Sequence, residues 1–332
     1  MKSKYVVLAS FALISVSAFA QKDEIKSAEK ALKKGNASES ITLLQTESLI
    51  ANSPDEEKAH YYMVKGNAYF ELSKATPKVA TNLLNAANAY KEMIATEKKS
   101  GASKYSNQVA VTLTDLNNQL FDLAVANIDK KNFTEATSLL YAVYELDTKD
   151  YEKLYYAANT AIEAKDFDTA LKYFEILKKE NYTGEGTGYY AVNIVTGKED
   201  FFGATPQAKI DRDSRVKAKV YNTPRDEKMP SKKGEIYRNI ALILTQQGKK
   251  EEATKALSDA VAANPDDTSL LLAQADFYLK EEDFTSYKNI INQVLAKNPN
   301  DADLIFNLGV ITSKTDKAEA EKYYKKAIEL RP

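Results

Sequence analysis

Residues 234–265 read GEIYRNIALILTQQGKKEEATKALSDAVAANP, and the fold is decided by what this stretch can do. Tyr237, Ile240, Ala241 and Leu244 fall at i, i+3, i+4 and i+7, the spacing of one helix face. Gly248 breaks the run, and Ala253, Leu257 and Ala260 then form a second stripe. Small side chains at 241, 253 and 260 let two helices approach closely, while Tyr237 and Leu257 fill the space between them. Asn264 precedes a proline and is disfavoured in helical angles, so the second helix is predicted to end there. Asp266, Asp267 and Thr268 supply cap chemistry for a following helix.

The same layout extends in both directions. Leu271, Gln274, Ala275 and Tyr278, then Tyr287, Ile291 and Val294, lead to Pro299; Ile305, Leu308 and Gly309, then Ala320, Tyr324 and Ala327, lead to Pro332. Pro265 and Pro299 are 34 residues apart, and Pro299 and Pro332 are 33 apart. Upstream, Phe133 and Phe167 are also 34 apart, as are Ala136 and Ala170. Asn132-Phe133, Asp166-Phe167 and Asp283-Phe284 occupy the same slot before a second helix. Such a recurrence predicts an all-α solenoid of stacked helix–turn–helix units.

These residues resemble the tetratricopeptide repeat family. Its bulky–Leu–Gly/Ala–Tyr first helix corresponds to Tyr237, Ile240, Ala241 and Leu244, its Ala–Phe–Ala second helix to Ala320, Tyr324 and Ala327, and its closing proline to the three prolines. The chain departs from the pattern in lacking Trp at the bulky position and in placing Gln274 where Leu is usual. The resemblance implies about seven helix pairs and a role in holding protein partners.

Composition excludes several other classes. Lys and Arg total 46 against 47 Asp and Glu, interspersed along the chain, so no bulk charge draws it toward nucleic acid or anionic lipid. Cysteine is absent, which removes disulfides, thiolate metal sites and cysteine nucleophiles. His60 is the single histidine, so a transition-metal site is not expected and His60 reads as a surface or groove residue. No catalytic constellation and no cofactor motif emerges. Gly184, Gly186 and Gly188 lack the third glycine and the preceding strand of a dinucleotide loop and read as a flexible lead-in. Asp211-Arg212-Asp213 is too short for a calcium loop.

Residues 1–20 read as a secretory signal peptide: Lys2 and Lys4, an apolar run from Val6 to Ala18, and the cleavage pattern Ala18-Phe19-Ala20. That run is shorter than the roughly 20 residues of a membrane span, so no span is expected after cleavage. The mature chain would carry 44 basic and 47 acidic residues. Without cysteine it cannot be a lipoprotein, and its Ala-Gln junction resembles exported proteins of Bacteroidota, which implies the periplasm. Residues 21–180 are expected to be helical repeats. Ser53-Pro54-Asp55-Glu56 reads as a capping box with proline at the first helical position, and Tyr62, Gly66 and Tyr69 repeat the first-helix face opposite Ala86, Tyr90 and Met93. Residues 104–131 form one long helix or two short ones.

From 181 to 233 the composition changes, with five of the eleven glycines and three of the eight prolines. Tyr189 to Val195, a turn at Thr196-Gly197-Lys198, and Glu199 to Phe202 read as a β-hairpin. A short charged helix follows from Thr205-Pro206, then loop through Asn222-Thr223-Pro224 and Met229-Pro230-Ser231. This insert resembles one in tetratricopeptide proteins of flavobacteria. Residues 234–332 resume the repeats, and Tyr324 and Ile328 at the end suggest a truncated chain or a covering partner.

The family resemblance implies that first-helix residues line a concave groove. On this chain they include Tyr155 and Asn159, Arg238 and Leu242, Leu272 and Asp276, and Phe306 and Val310. Their mix of aromatic, aliphatic and single charges suits a protein or peptide partner. Tyr189, Tyr190, Phe201 and Phe202 offer a second contact surface on the insert, or else pack back on neighbouring helices. The expectation is a non-enzymatic periplasmic scaffold of a cell-envelope assembly. The alternative is a glycan- or nutrient-binding envelope protein, although envelope sugar-capture relatives carry the Trp platforms and anchoring Cys absent here.

Overall fold

In the computed structural model, residues 22–45 and 50–331 are described. The expected signal peptide and Pro332 lie outside them. The chain forms two compact units, Met1–Ala170 and Leu171–Pro332.

Unit 1 begins with α1 (22–33) and α2 (Ala37–Leu43), followed by the long pair α3 (Asp55–Ala75) and α4 (Val79–Ser100). One turn of α5 (Lys104–Gln108) leads into α6 (Ala110–Asp129), α7 (Phe133–Leu146) and α8 (Tyr151–Glu163). Residues 104–131 are thus two helices, broken at Val109. Helix α3 starts at Asp55 with Pro54 as the cap residue, one position later than the capping box required, and the cap has no side-chain hydrogen bond. Acidic Asp55, Glu56 and Glu57 in its first turn complement the helix dipole instead.

The extra length of the α3–α4 pair goes into both helices rather than into the loop. Its core is Tyr61, Val64 and Ala68 against Leu83, Ala86, Tyr90 and Met93. Tyr62 and Tyr69, expected on the packed face, are only half-buried. Gly66 is where the helices meet: a Cβ there would lie 2.6 Å from the Tyr90 ring. Glu97 at the end of α4 is 3% exposed and accepts from the backbone N–H groups of Tyr105 (2.6 Å) and Ser106 (3.0 Å), so it caps α5 from another helix. Burial opposes its ionisation, but those hydrogen bonds prevail and hold its pKa below the usual carboxylate value.

Helix α9 (Phe167–Lys179) leads into the second unit, whose repeats are α11 (Lys233–Gln246) with α12 (Lys250–Ala263), α13 (Thr268–Lys280) with α14 (Phe284–Lys297), and α15 (Ala302–Thr312) with α16 (Lys317–Leu330). Asp267, Asp283, Asp301 and Asp316 cap α13 to α16 in turn by accepting from backbone N–H groups. Leu271 and Ala275, Tyr287, Ile291 and Val294, and Leu308 and Ile311 form one core shared by α13, α14 and α15. Gln274, out of place as a usual Leu, donates to Ser258 Oγ on α12 at 3.3 Å, which satisfies its amide in the interior. The turn between paired helices takes a left-handed residue at corresponding positions, Gly35, Lys131, Lys165, Gly248 and Glu282.

The insert has the expected hairpin and short helix, and adds a third strand that completes a sheet. Strands β1 (Gly186–Asn193), β2 (Glu199–Gly203) and β3 (Tyr221–Met229) pair antiparallel in the order β2-β1-β3, with α10 (Pro206–Lys217) between the last two in sequence. β3 was expected to be loop. Its side chains between the two ends are exposed, so it shows no alternation, and Pro224 is tolerated because the strand lies at an edge. Gly186 and Gly188 belong to β1, paired with Met229 and Glu227, and are not a flexible lead-in. The chain leaves and re-enters the repeats at adjacent points, where Lys232 N donates to Thr183 O at 2.6 Å.

Candidate functional site

The first-helix face of unit 2 is assembled by backbone approach. A Cβ on Gly234 would lie 2.3 Å from the Ser269 carbonyl oxygen, so α11 and α13 touch without an intervening side chain. Gly234 N donates to Ser269 Oγ at 3.1 Å. One turn further along α11, Arg238 reaches Asp276 on α13, with Nη1 and Oδ2 3.4 Å apart and both side chains almost half exposed. Such a solvated pair contributes little to stability and can be exchanged for an external partner at small cost. Leu242 and Leu272 are half-buried, Leu272 resting on the shared core.

On α15 the face becomes apolar. Phe306 is 50% exposed and Val310 39%, and the Phe306 ring packs against Tyr324 with centroids 5.4 Å apart. Exposed aromatic and aliphatic side chains on one helix face can receive a polypeptide segment. The corresponding residues of unit 1 differ. Tyr155 is 6% exposed, and Asn159 donates back to the Tyr155 carbonyl at 3.1 Å within α8. Tyr155 is therefore core rather than groove surface.

On the insert the four aromatic residues divide between two faces. The Tyr189 ring lies 5.2 Å from the Arg212 guanidinium, and Phe202 lies 5.9 Å from that of Arg215, so both turn toward α10. Arg212 is 4% exposed, bonded to Asp213, Asp226 and the Arg225 carbonyl, and it ties α10 to β3. Tyr190 and Phe201 stack on the other face at 4.9 Å, with the Arg225 guanidinium 4.3 Å from Tyr190. Arg225 is held there by Glu199 and Glu227. Sequential residues of a strand point to opposite faces, which places Tyr189 and Phe202 toward α10 and Tyr190 and Phe201 away from it. Sequence reasoning missed Arg225 because its strand resembled loop.

His60 belongs to neither surface. Its ring stacks on Tyr105 at 5.2 Å, nearly parallel, and its Nε2 lies 3.4 Å from Glu29. Burial lowers its pKa, and Glu29 offsets part of that shift. Among the described residues no group of three or more His, Cys, Asp or Glu side chains could hold a metal ion, and no helix is long and apolar enough to cross a membrane.

Tetratricopeptide-repeat profiles match residues 238–286 and 302–332. No curated protein matches. Among solved structures, the chain is similar to a tetratricopeptide repeat protein from Parabacteroides merdae, at 13% identity over 94% of this chain and 93% of that one, with a TM-score of 0.36. It is similar to Pseudomonas aeruginosa pilF at 12% identity over 95% and 94%, TM-score 0.33. Similarity to MamA from Desulfovibrio magneticus covers 64% of this chain and 94% of that one, at 14% identity and a TM-score of 0.38. Residues 238–286 and 302–332 are tetratricopeptide repeats, and the chain is a helical repeat protein built with them.

Proposed function

We propose that the chain is a non-catalytic scaffold that holds a protein partner on the first-helix face of unit 2, within a cell-envelope assembly of the periplasm. Tetratricopeptide repeats suggest protein–protein interaction as the class of function. The observation that carries the reading is the exposure of Phe306 and Val310 on one face of α15. A docking segment would bury both side chains. The Tyr190–Phe201–Arg225 face of the insert is a second contact surface of the same chemistry. The periplasmic address rests on the signal-like pattern of residues 1–20.

The test is affinity capture of the mature protein from chemically cross-linked cell envelopes, compared with a Phe306→Ala/Val310→Ala variant of equal thermal stability. The scaffold reading expects a specific polypeptide with the first protein and its loss with the second. Repeated recovery of background alone, or equal recovery by both, would refute it.

A further inference from the structure

The insert holds three exposed aliphatic side chains at the end of its sheet farthest from the repeats. β1 starts beside the Thr183–Lys232 contact and runs eight residues to Asn193. At about 3.3 Å per residue, its far end lies about 25 Å along the strand from that junction. Two segments meet there, the β1–β2 turn at 194–198 and the passage from α10 into β3 at 218–220. They are joined where Ile194 N donates to the Val220 carbonyl at 3.1 Å. Val195 is 90% exposed, and Ile194 and Val220 are half exposed.

Both segments are pinned by their own backbones. Asn193 Oδ1 accepts from the N–H groups of Val195 at 2.9 Å and Thr196 at 3.2 Å, and Asn193 N donates to the Lys198 carbonyl at 2.8 Å. On the other side Lys219 N donates to Val216 O at 3.0 Å and Val220 N to Arg215 O at 3.1 Å, which closes α10. The aliphatic side chains are thus held in solvent by a fixed framework.

The charge around them has one sign. Residues 193–198 (NIVTGK) and 214–223 (SRVKAKVYNT) contain Lys198, Arg215, Lys217 and Lys219 and no Asp or Glu, in a chain whose total charge is −1. Neighbouring carboxylates are committed within the insert: Glu199 to Arg225, Asp213 to Arg212, and Asp200 to the Tyr221 hydroxyl at 2.8 Å. Among the described residues none of the four cations has a carboxylate partner.

An aliphatic point with a cationic collar matches one class of surface. Protein hot spots favour aromatic anchors, and this end has none exposed. A bilayer interface takes aliphatic side chains below its headgroups and leaves lysine ammonium groups among them. Neither signal suffices alone, but apolar insertion and basic residues together give reversible attachment. Each lysine near an anionic surface strengthens binding about fivefold. The chain as a whole offers no such attraction; this local imbalance does.

We propose that the Ile194–Val195–Val220 end of the insert docks into the headgroup region of an anionic phospholipid membrane. It uses neither the first-helix face of unit 2 nor the Tyr190–Phe201 pair, so it stands independently of the scaffold reading. The test is flotation of the mature protein with vesicles of phosphatidylcholine alone and of two parts phosphatidylcholine to one part phosphatidylglycerol. Omitting residues 1–20 keeps their apolar run from binding lipid instead. Flotation is expected with the anionic vesicles only, weakening as salt rises. At an unchanged melting temperature, Val195→Asp should weaken it about tenfold or more, and Lys198→Gln/Lys217→Gln/Lys219→Gln about a hundredfold. Phe306→Ala/Val310→Ala should float like the parent. Because the chain has no cysteine, a polarity-sensitive dye on Val195→Cys reads insertion at one position. Its emission should shift to the blue on anionic vesicles, while the same dye on Val111→Cys, at an exposed position of α6, should not shift. Should a flotation variant misfold, the dye decides. No flotation with anionic vesicles, equal flotation with both kinds, undiminished binding by Val195→Asp, equal dye shifts at 195 and 111, or capture of a polypeptide instead of lipid by a cross-linker at 195 would overturn the proposal.

Discussion

Gly66→Ala and Gly309→Ala make the same local change and should have different outcomes. An added Cβ would lie 2.6 Å from a ring carbon of Tyr90 in the first case and 2.6 Å from one of Tyr324 in the second. Overpacking of this kind costs about 1–3 kcal/mol, while alanine in a helix interior recovers about 1 kcal/mol relative to glycine. Which side prevails depends on whether the ring can move. Tyr90 is fully buried, and its hydroxyl donates to Asn67 Oδ1 at 2.6 Å, so its ring is held at both ends. Tyr324 is half-buried and leans on an exposed Phe306, so its ring can swing outward. With the Tyr90 ring held, the Gly66→Ala cost falls in the upper part of that range, about 2–3 kcal/mol, so the variant should lose about 1–2 kcal/mol once the helix gain is subtracted. Gly309→Ala should stay within about 0.5 kcal/mol of the parent or gain slightly. In melting temperature the first corresponds to a drop on the order of 2–8 °C for a unit of this size. Denaturant titration followed by helical circular dichroism and tyrosine fluorescence reads both variants. A Gly66→Ala protein as stable as its parent, or one less damaged than Gly309→Ala, would refute the reasoning.

The single histidine should titrate below its ordinary value of about 6.5 by NMR, because burial disfavours the charged ring, and still lower in Glu29→Gln. Its unfolded form takes up a proton first as pH falls through 6.5, so the sign is a loss of stability toward acid; a midpoint above 6.5 would contradict this. Glu97→Gln should cost about 1.5–3 kcal/mol in denaturant titration, because a charged acceptor of two backbone donors is lost. Since the folded pKa of Glu97 is depressed, its stabilisation is present above the ordinary carboxylate value and disappears as pH falls through the folded one; that share of acid sensitivity should be missing from the variant. Glu282→Gly and Lys165→Gly should each stabilise by about 0.5–1 kcal/mol, since a left-handed side chain costs about 1–2 kcal/mol and glycine entropy returns part of it; equal or lower melting temperatures would contradict this.

The repeats were legible because their signal is periodic. Ile240, Ala241, Leu244 and Leu257 are buried as the 3.6-residue spacing required, and Asn264 does end α12 before Pro265. What the sequence obscured were places where one residue's environment comes from another part of the chain. β3 has no buried alternation between its ends because α10 meets the sheet through Arg212 rather than through an apolar stripe on the strand. Tyr62 and Tyr69 share spacing with core residues elsewhere, yet they share a concavity with polar Asn85 and Asn88 of α4 and are half-buried. Of the expected insert surface, Tyr190 and Phe201 share the open face while Tyr189 and Phe202 turn to α10; strand alternation separates the pairs, but which face α10 covers is set by its placement after β2.

On the reading proposed above, the first-helix face of unit 2 receives a polypeptide. A photo-activatable cross-linking residue placed at Phe306 measures this most directly, against the same residue placed at exposed Lys255 on α12. One discrete cross-linked partner is expected from position 306 and none from 255. Identical products from both positions, or none from either in intact cells, would contradict it.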